Sequence, residues 1–129
     1  MKKDSFFLTV SNYKNSYTKT NSYYENNWLM GCIQINNEPL VVFELLQVEE
    51  LKDLIKWIDN LNNPMEVKIN FDFIDPFIRF KLLKRNNYQY VKFIYNKEEL
   101  NPYFYDFSLE EIQVFKKDIL KTILEFPIR

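Results

Sequence analysis

Phe6, Leu8 and Val10 alternate with Phe7 and Thr9, a period of two that predicts a short strand with one buried face. From Ser11 to Asn27 the periodicity stops. This segment is rich in Asn, Ser, Thr and Tyr and reads as a loop of about 15 residues, longer than compact domains usually carry without a reason. Trp28 to Ile35 and Leu40 to Leu46 are apolar at both odd and even positions, which predicts central strands partly covered on each side. Between them Asn36-Asn37-Glu38-Pro39 reads as a turn, because Asn tolerates the left-handed backbone conformation.

The period then changes. Val48, Leu51, Leu54, Ile55, Ile58 and Leu61 recur at three- and four-residue spacing, with Glu49, Glu50, Lys52, Asp53, Lys56 and Asp59 on the other side. That pattern predicts an amphipathic helix over 48–61, stopped by Asn62-Asn63-Pro64. Alternation returns in Val67, Ile69, Phe71 and Phe73, in Ile78, Phe80 and Leu82, and in Val91, Phe93 and Tyr95. Asp75-Pro76 and Asn86-Asn87 mark the turns between these strands, and a shorter strand is expected over Tyr103 to Phe107. Ser108-Leu109-Glu110-Glu111 has the form of a capping box, with Phe107 and Ile112 at the hydrophobic-staple positions. The second helix runs from there to about Glu125, turns Ile112, Phe115, Ile119, Leu120, Ile123 and Leu124 inward, and ends at Pro127.

The order is βββ-α-ββββ-α, an α+β fold. Connections of hairpin length imply a mostly antiparallel meander sheet of about six to seven strands, with the two helices packed on one face. With 129 residues and neither an internal repeat nor a low-complexity linker, a single domain over 1–129 is expected.

Composition supports that expectation. Hydrophobic residues are 47% and aromatics 18%, enough to bury a core without disulfides or metal. Seventeen basic residues against 18 acidic ones argue against direct nucleic-acid binding, which normally needs a basic patch. Asp4 follows the N-terminal lysines, and the apolar run after it spans about five residues, where a signal-peptide core needs roughly 7–15. Glu44 interrupts the longest apolar run, so no membrane span is expected. A cytoplasmic location follows as an expectation.

The chemistry-bearing residues are few. The chain has no His, which removes the usual general base and most zinc and iron ligand sets. One glycine, Gly31, cannot build a phosphate-cradling loop. Cys32, alone and in mid-strand, reads as a core thiol. The paired acids Glu49-Glu50 and Glu110-Glu111 sit at helix starts, where they complement the helix dipole, while Asp72 and Asp75 belong to a turn. No catalytic residue, metal site or cofactor is expected, and the chain reads as a non-enzyme.

Two surfaces suit a binding protein. Tyr13, Tyr17, Tyr23, Tyr24 and Glu25 lie in the polar loop, and Trp28 follows it. Tyr offers a large contact area for two side-chain torsions, and Asn and Ser add adaptable hydrogen bonds, the mixture that antibody loops use. The competing reading is a disordered segment, since Asn, Lys, Tyr and Ile abound throughout the chain. The second candidate is the polar face of the meander, with Lys68, Asp72, Arg79, Lys81, Tyr90 and Lys92; its competing reading is an ordinary solvated face.

From Tyr24-Glu25-Asn26-Asn27-Trp28-Leu29 onward, over about residues 24–129, the chain resembles the WapI-type immunity protein family. The resemblance rests on the Asn-Trp-Leu strand opening, the helix from Glu49-Glu50-Leu51 to Leu61, the phenylalanine-rich meander and the closing Phe126-Pro127-Ile128-Arg129. The sequence departs from the family pattern at Asn26, where members often have Gly after an acid. The resemblance implies a bacterial cytosolic antidote to the C-terminal domain of a polymorphic toxin, commonly a nuclease. It also implies inhibition by tight stoichiometric binding, with acids such as Glu25 matching a basic cleft. Taken without the resemblance, the residues leave open a protein-interaction module with another partner, or a small-ligand carrier with a Tyr- and Phe-lined pocket.

Overall fold

A computed structural model describes residues 5–36, 38–63, 68–97 and 102–129. The first four residues, Asn37, Pro64 and Val67, on which the leader, turn, helix-stop and strand expectations partly rested, lie outside the described residues. The element order is β1 (Phe6–Tyr13), α1 (Tyr23–Asn27), β2 (Trp28–Ile35), β3 (Glu38–Gln47), α2 (Val48–Asp59), β4 (Asn70–Asp72), β5 (Ile78–Arg85), β6 (Tyr88–Tyr95), β7 (Tyr103–Ser108) and α3 (Leu109–Glu125). Apart from the short α1 this is the expected α+β order. All strand pairings are antiparallel, and the seven strands divide into two sheets, β1-β2-β3 and β4-β5-β6-β7, where one sheet was expected. The chain divides into two compact units, Met1–Lys52 with Asp118–Arg129, and Asp53–Lys117.

In the first unit β2 is the central strand. Its odd positions Leu29, Ile33 and Ile35 are buried with Phe6, Phe43 and Leu46, while Met30, Cys32 and Gln34 on the opposite face are half-buried. Cys32 is therefore on the half-covered face and not in the core as expected, because the two-residue strand period sends it the opposite way from Ile33. Gly31 lies where β1 passes closest: a Cβ there would stand 2.1 Å from the Thr9 carbonyl oxygen and 2.7 Å from Phe43 Cζ. Bulges between Val10 and Asn12 and between Leu29 and Gly31 shift the ladders on either side of this point. Asn36, in the β2–β3 turn, has φ 55°, as its residue type allows.

In the second unit Phe80 is the centre of a ring cluster. Its centroid lies 5.5 Å from Phe93, 5.9 Å from Phe115, 6.0 Å from Phe73 and 6.2 Å from Phe107. The register explains the gathering: Phe71, Phe80, Phe93 and Tyr105 stand opposite one another across four strands and share the dry face. Trp57 packs against Phe71 from α2 and donates its indole N–H to the Lys68 carbonyl at 2.8 Å. Arg85 pairs with Tyr88 across a two-residue turn in which Asn86 and Asn87 both have positive φ, the geometry of a tight hairpin matching strand twist. The capping box forms as expected. Ser108 Oγ accepts from the Glu111 amide at 3.0 Å, and Glu111 accepts from the Ser108 amide and from the Tyr105 hydroxyl.

Candidate functional site

The segment expected as a loop from Ser11 is shorter and ordered. β1 continues to Tyr13, and Ser22 caps α1 by accepting from the Glu25 amide at 3.1 Å. Between these elements the polar side chains turn inward. The Asn26 carboxamide accepts from the Thr18 amide at 3.2 Å and donates to the Thr18 carbonyl at 3.0 Å, closing the intervening turn on itself. The Asn27 carboxamide donates to the Tyr23 carbonyl at 2.7 Å. Asn15 donates to the Glu25 carbonyl, and the buried Gln47 donates to the Tyr24 carbonyl at 3.0 Å.

The tail beyond α3 fastens this loop. Arg129 donates its main-chain N–H to Asn27 Oδ1 at 2.8 Å. Its guanidinium donates to the Asn26 carbonyl through Nε and Nη2, at 2.9 and 2.6 Å, and to the Asn15 carbonyl through Nη2 at 2.7 Å. The same group lies 3.6 Å from the centre of the Tyr13 ring. Tyr13 in turn meets Phe126 edge-on at 5.5 Å and donates its hydroxyl to the Pro127 carbonyl. Burial raises the Tyr13 phenol above its ordinary value, an effect partly opposed by the Arg129 charge. Tyr13 is thus a support of the loop, not part of its outer face.

What faces outward is aromatic. Tyr17, Tyr23 and Tyr24 are 53%, 42% and 56% exposed. Tyr23 and Tyr24 meet edge to face at 5.6 Å, and the Tyr23 hydroxyl donates to Glu49 at 3.3 Å. Glu25 and Glu49 are exposed beside them, and Trp28 is half-buried at the start of β2. Of the six residues expected to form this surface, the structure therefore groups Tyr23, Tyr24 and Glu25 on α1 and adds Glu49, which sequence reasoning assigned only to the helix start.

In the second unit the register puts Asp72, Arg79, Lys81, Tyr90 and Lys92 on one face of the four-stranded sheet, while Lys68 lies outside the strands. These charges largely answer one another. Arg79 pairs with Asp72, Lys92 pairs with Asp106 at 3.3 Å and covers the Phe104 ring at 4.8 Å, and Arg85 lies over Tyr90 at 5.5 Å. Exposed pairs of this kind are worth roughly 0–1 kcal/mol each, and the arrangement matches a solvated face. An open groove of about 810 Å³ runs beside the β5–β6 hairpin, lined among others by Arg85, Tyr88, Tyr90 and Ser108. It differs from the Tyr- and Phe-lined pocket between sheet and helices that a ligand carrier would need.

Sequence reasoning missed Asn26, Asn27, Gln47 and Arg129 as the fasteners of the loop. The available signal was the two ends of the family resemblance, Glu25-Asn26-Asn27-Trp28 and Phe126-Pro127-Ile128-Arg129, which here hydrogen-bond to each other. The departure at Asn26 also has a local reason. Positive φ among non-glycine described residues occurs at Asn36, Asn86 and Asn87, so position 26 makes no demand for glycine, and its carboxamide closes the turn instead.

Among the described residues no helix is long and apolar enough to cross a membrane, and no three His, Cys, Asp or Glu side chains are grouped to hold a metal. No curated protein and no solved structure matches the chain. The model of the immunity protein WapI-like family matches residues 1–127, so the match takes in β1 and the loop and ends two residues before Arg129. On that match, spanning all but the last two residues, the chain belongs to the WapI-like family of immunity proteins.

Proposed function

We propose that the protein neutralises the toxic C-terminal domain of a cognate polymorphic toxin by binding it one to one, without turnover. The family match over residues 1–127 carries this reading. The toxin domain is taken to be a nuclease, whose basic, phosphate-binding cleft is a surface that a protein of balanced charge and many aromatics can cover. An antidote of this kind acts where the toxin acts, which assigns the protein to the cytoplasm. It acts by occlusion, and affinity takes the place of chemistry; stoichiometric inhibitors of nucleases reach Kd values of about 10⁻¹³ M and tighter. The absence of histidine and the helix-start placement of the paired acids are consistent with an inhibitor that performs no reaction.

The experiment is a titration. The toxin domain encoded in the adjacent gene is assayed for toxicity in cells and for nuclease activity in vitro, with increasing amounts of the protein. Activity is expected to fall linearly and vanish at one equivalent. Persistence of full activity in a several-fold excess of the protein refutes the proposal.

A further inference from the structure

We propose that the toxin docks on the outer face of the α1 loop, and that Tyr23 and Tyr24, flanked by Glu25 and Glu49, receive an arginine or lysine side chain of the partner. This names a surface for the function proposed above and rests on it.

The first ground is an inversion of the usual burial. In this segment Asn26 and Asn27 are buried while three tyrosines face solvent. Stability alone favours the opposite, because each ring offers a large apolar area and each buried carboxamide must find partners for both its ends. The chain meets that demand with a set of hydrogen bonds to Thr18, Tyr23 and Arg129. The result is a rigid backbone that presents rings outward. Such a surface has already lost its conformational freedom on folding, so a partner need not order it.

The second ground is chemical. Aromatic faces and carboxylates both attract cations, and a guanidinium can stack on a ring while hydrogen-bonding a carboxylate. The loop contains an internal example: Arg129 lies over Tyr13 at 3.6 Å and 5.9 Å from Tyr17. Tyr23 and Tyr24, in edge-to-face contact and joined to Glu49 through the Tyr23 hydroxyl, offer the same chemistry outward. A nuclease cleft supplies the complementary cations. The four-stranded sheet is less suited, since Arg79 and Lys92 already pair with Asp72 and Asp106.

The test measures binding of the adjacent-gene toxin domain to the full-length protein and three variants by calorimetry and surface kinetics. Tyr24→Ala removes a side chain that is more than half exposed and leaves the Gln47 bond, which goes to the Tyr24 backbone, in place. It is expected to raise Kd roughly thirtyfold or more, as a hot spot does, with an unchanged melting temperature. The double variant Glu25→Gln with Glu49→Gln is expected to slow association and flatten its salt dependence. Arg79→Ala is expected to bind as the parent does. If the parent binds and both loop variants stay within about twofold of it, the surface is wrong and the function stands. If the parent itself does not bind, the functional proposal falls, and the docking surface with it.

Discussion

Arg129→Ala tests whether the tail holds the loop. The substitution keeps the main-chain N–H that reaches Asn27 Oδ1 and removes three guanidinium hydrogen bonds, two to the Asn26 carbonyl and one to the Asn15 carbonyl. Hydrogen bonds from charged donors contribute about 1.5–3 kcal/mol each. Arg129 is half-buried, so water can replace part of this, and the two donors sharing one carbonyl do not count twice. Roughly 1 kcal/mol per carbonyl is a fair discounted value. Loss of the stacking on Tyr13 adds about 0.5–2 kcal/mol. The expected destabilisation is thus about 2–4 kcal/mol, read by urea unfolding. Hydrogen exchange should locate it, with protection falling at the amides of Thr18, Glu25 and Asn26. Arg129→Lys should recover less than half, because one ammonium cannot reproduce the planar fork that spans both carbonyls. A loss below about 0.5 kcal/mol, with unchanged exchange at those three amides, would refute the reasoning.

Gly31→Ala is expected to cost about 3 kcal/mol, measured as a lowered unfolding midpoint, because the new methyl meets the β1 backbone at Thr9 and Val10 and the Phe43 ring. Ser108→Ala should cost about 1 kcal/mol through loss of the α3 cap, seen in the same assay; an unchanged midpoint would mean Glu111 caps the helix alone. Tyr13 gives a pH dependence of definite sign. Its phenol is raised in the folded state by burial, so its contribution is complete below the unfolded value of 10.0 and is lost as pH rises through the folded value. Denaturation followed from pH 8 to 12 should show a decline above about 10 that is smaller in Tyr13→Phe, which lacks the titrating group. Equal declines in both proteins would count against a buried Tyr13 hydroxyl.

Local signals were legible where one short stretch settles its own conformation. The alternation from Trp28 to Ile35 marked β2 to the residue, and Ser108 with Glu111 marked the start of α3, because strand pleat and helix cap each depend on neighbours within a few positions. The Asn86-Asn87 turn is of the same kind, since both residues tolerate positive φ and the register of β5 against β6 follows from the two-residue connection. The ends were less legible. α2 stops at Asp59, two residues before the apolar period runs out, as the backbone tightens into turns through Asn60 and Leu61, yet Leu61 stays buried.

The sequence by itself determined the element order, the dry and wet faces of the meander, and the poverty of catalytic groups, since these depend on residue type and short-range period. Only tertiary structure decided that the strands divide into two sheets, that Cys32 faces away from the core, and that a segment resembling disorder is held rigid. The last depends on Arg129 meeting Asn26 across 103 positions. A bond between a guanidinium and a backbone carbonyl leaves no periodicity and no required residue at its acceptor, so nothing in the Asn- and Tyr-rich composition announces it. The tyrosines were visible from the start. That they point outward follows from which asparagines the fold could satisfy inside.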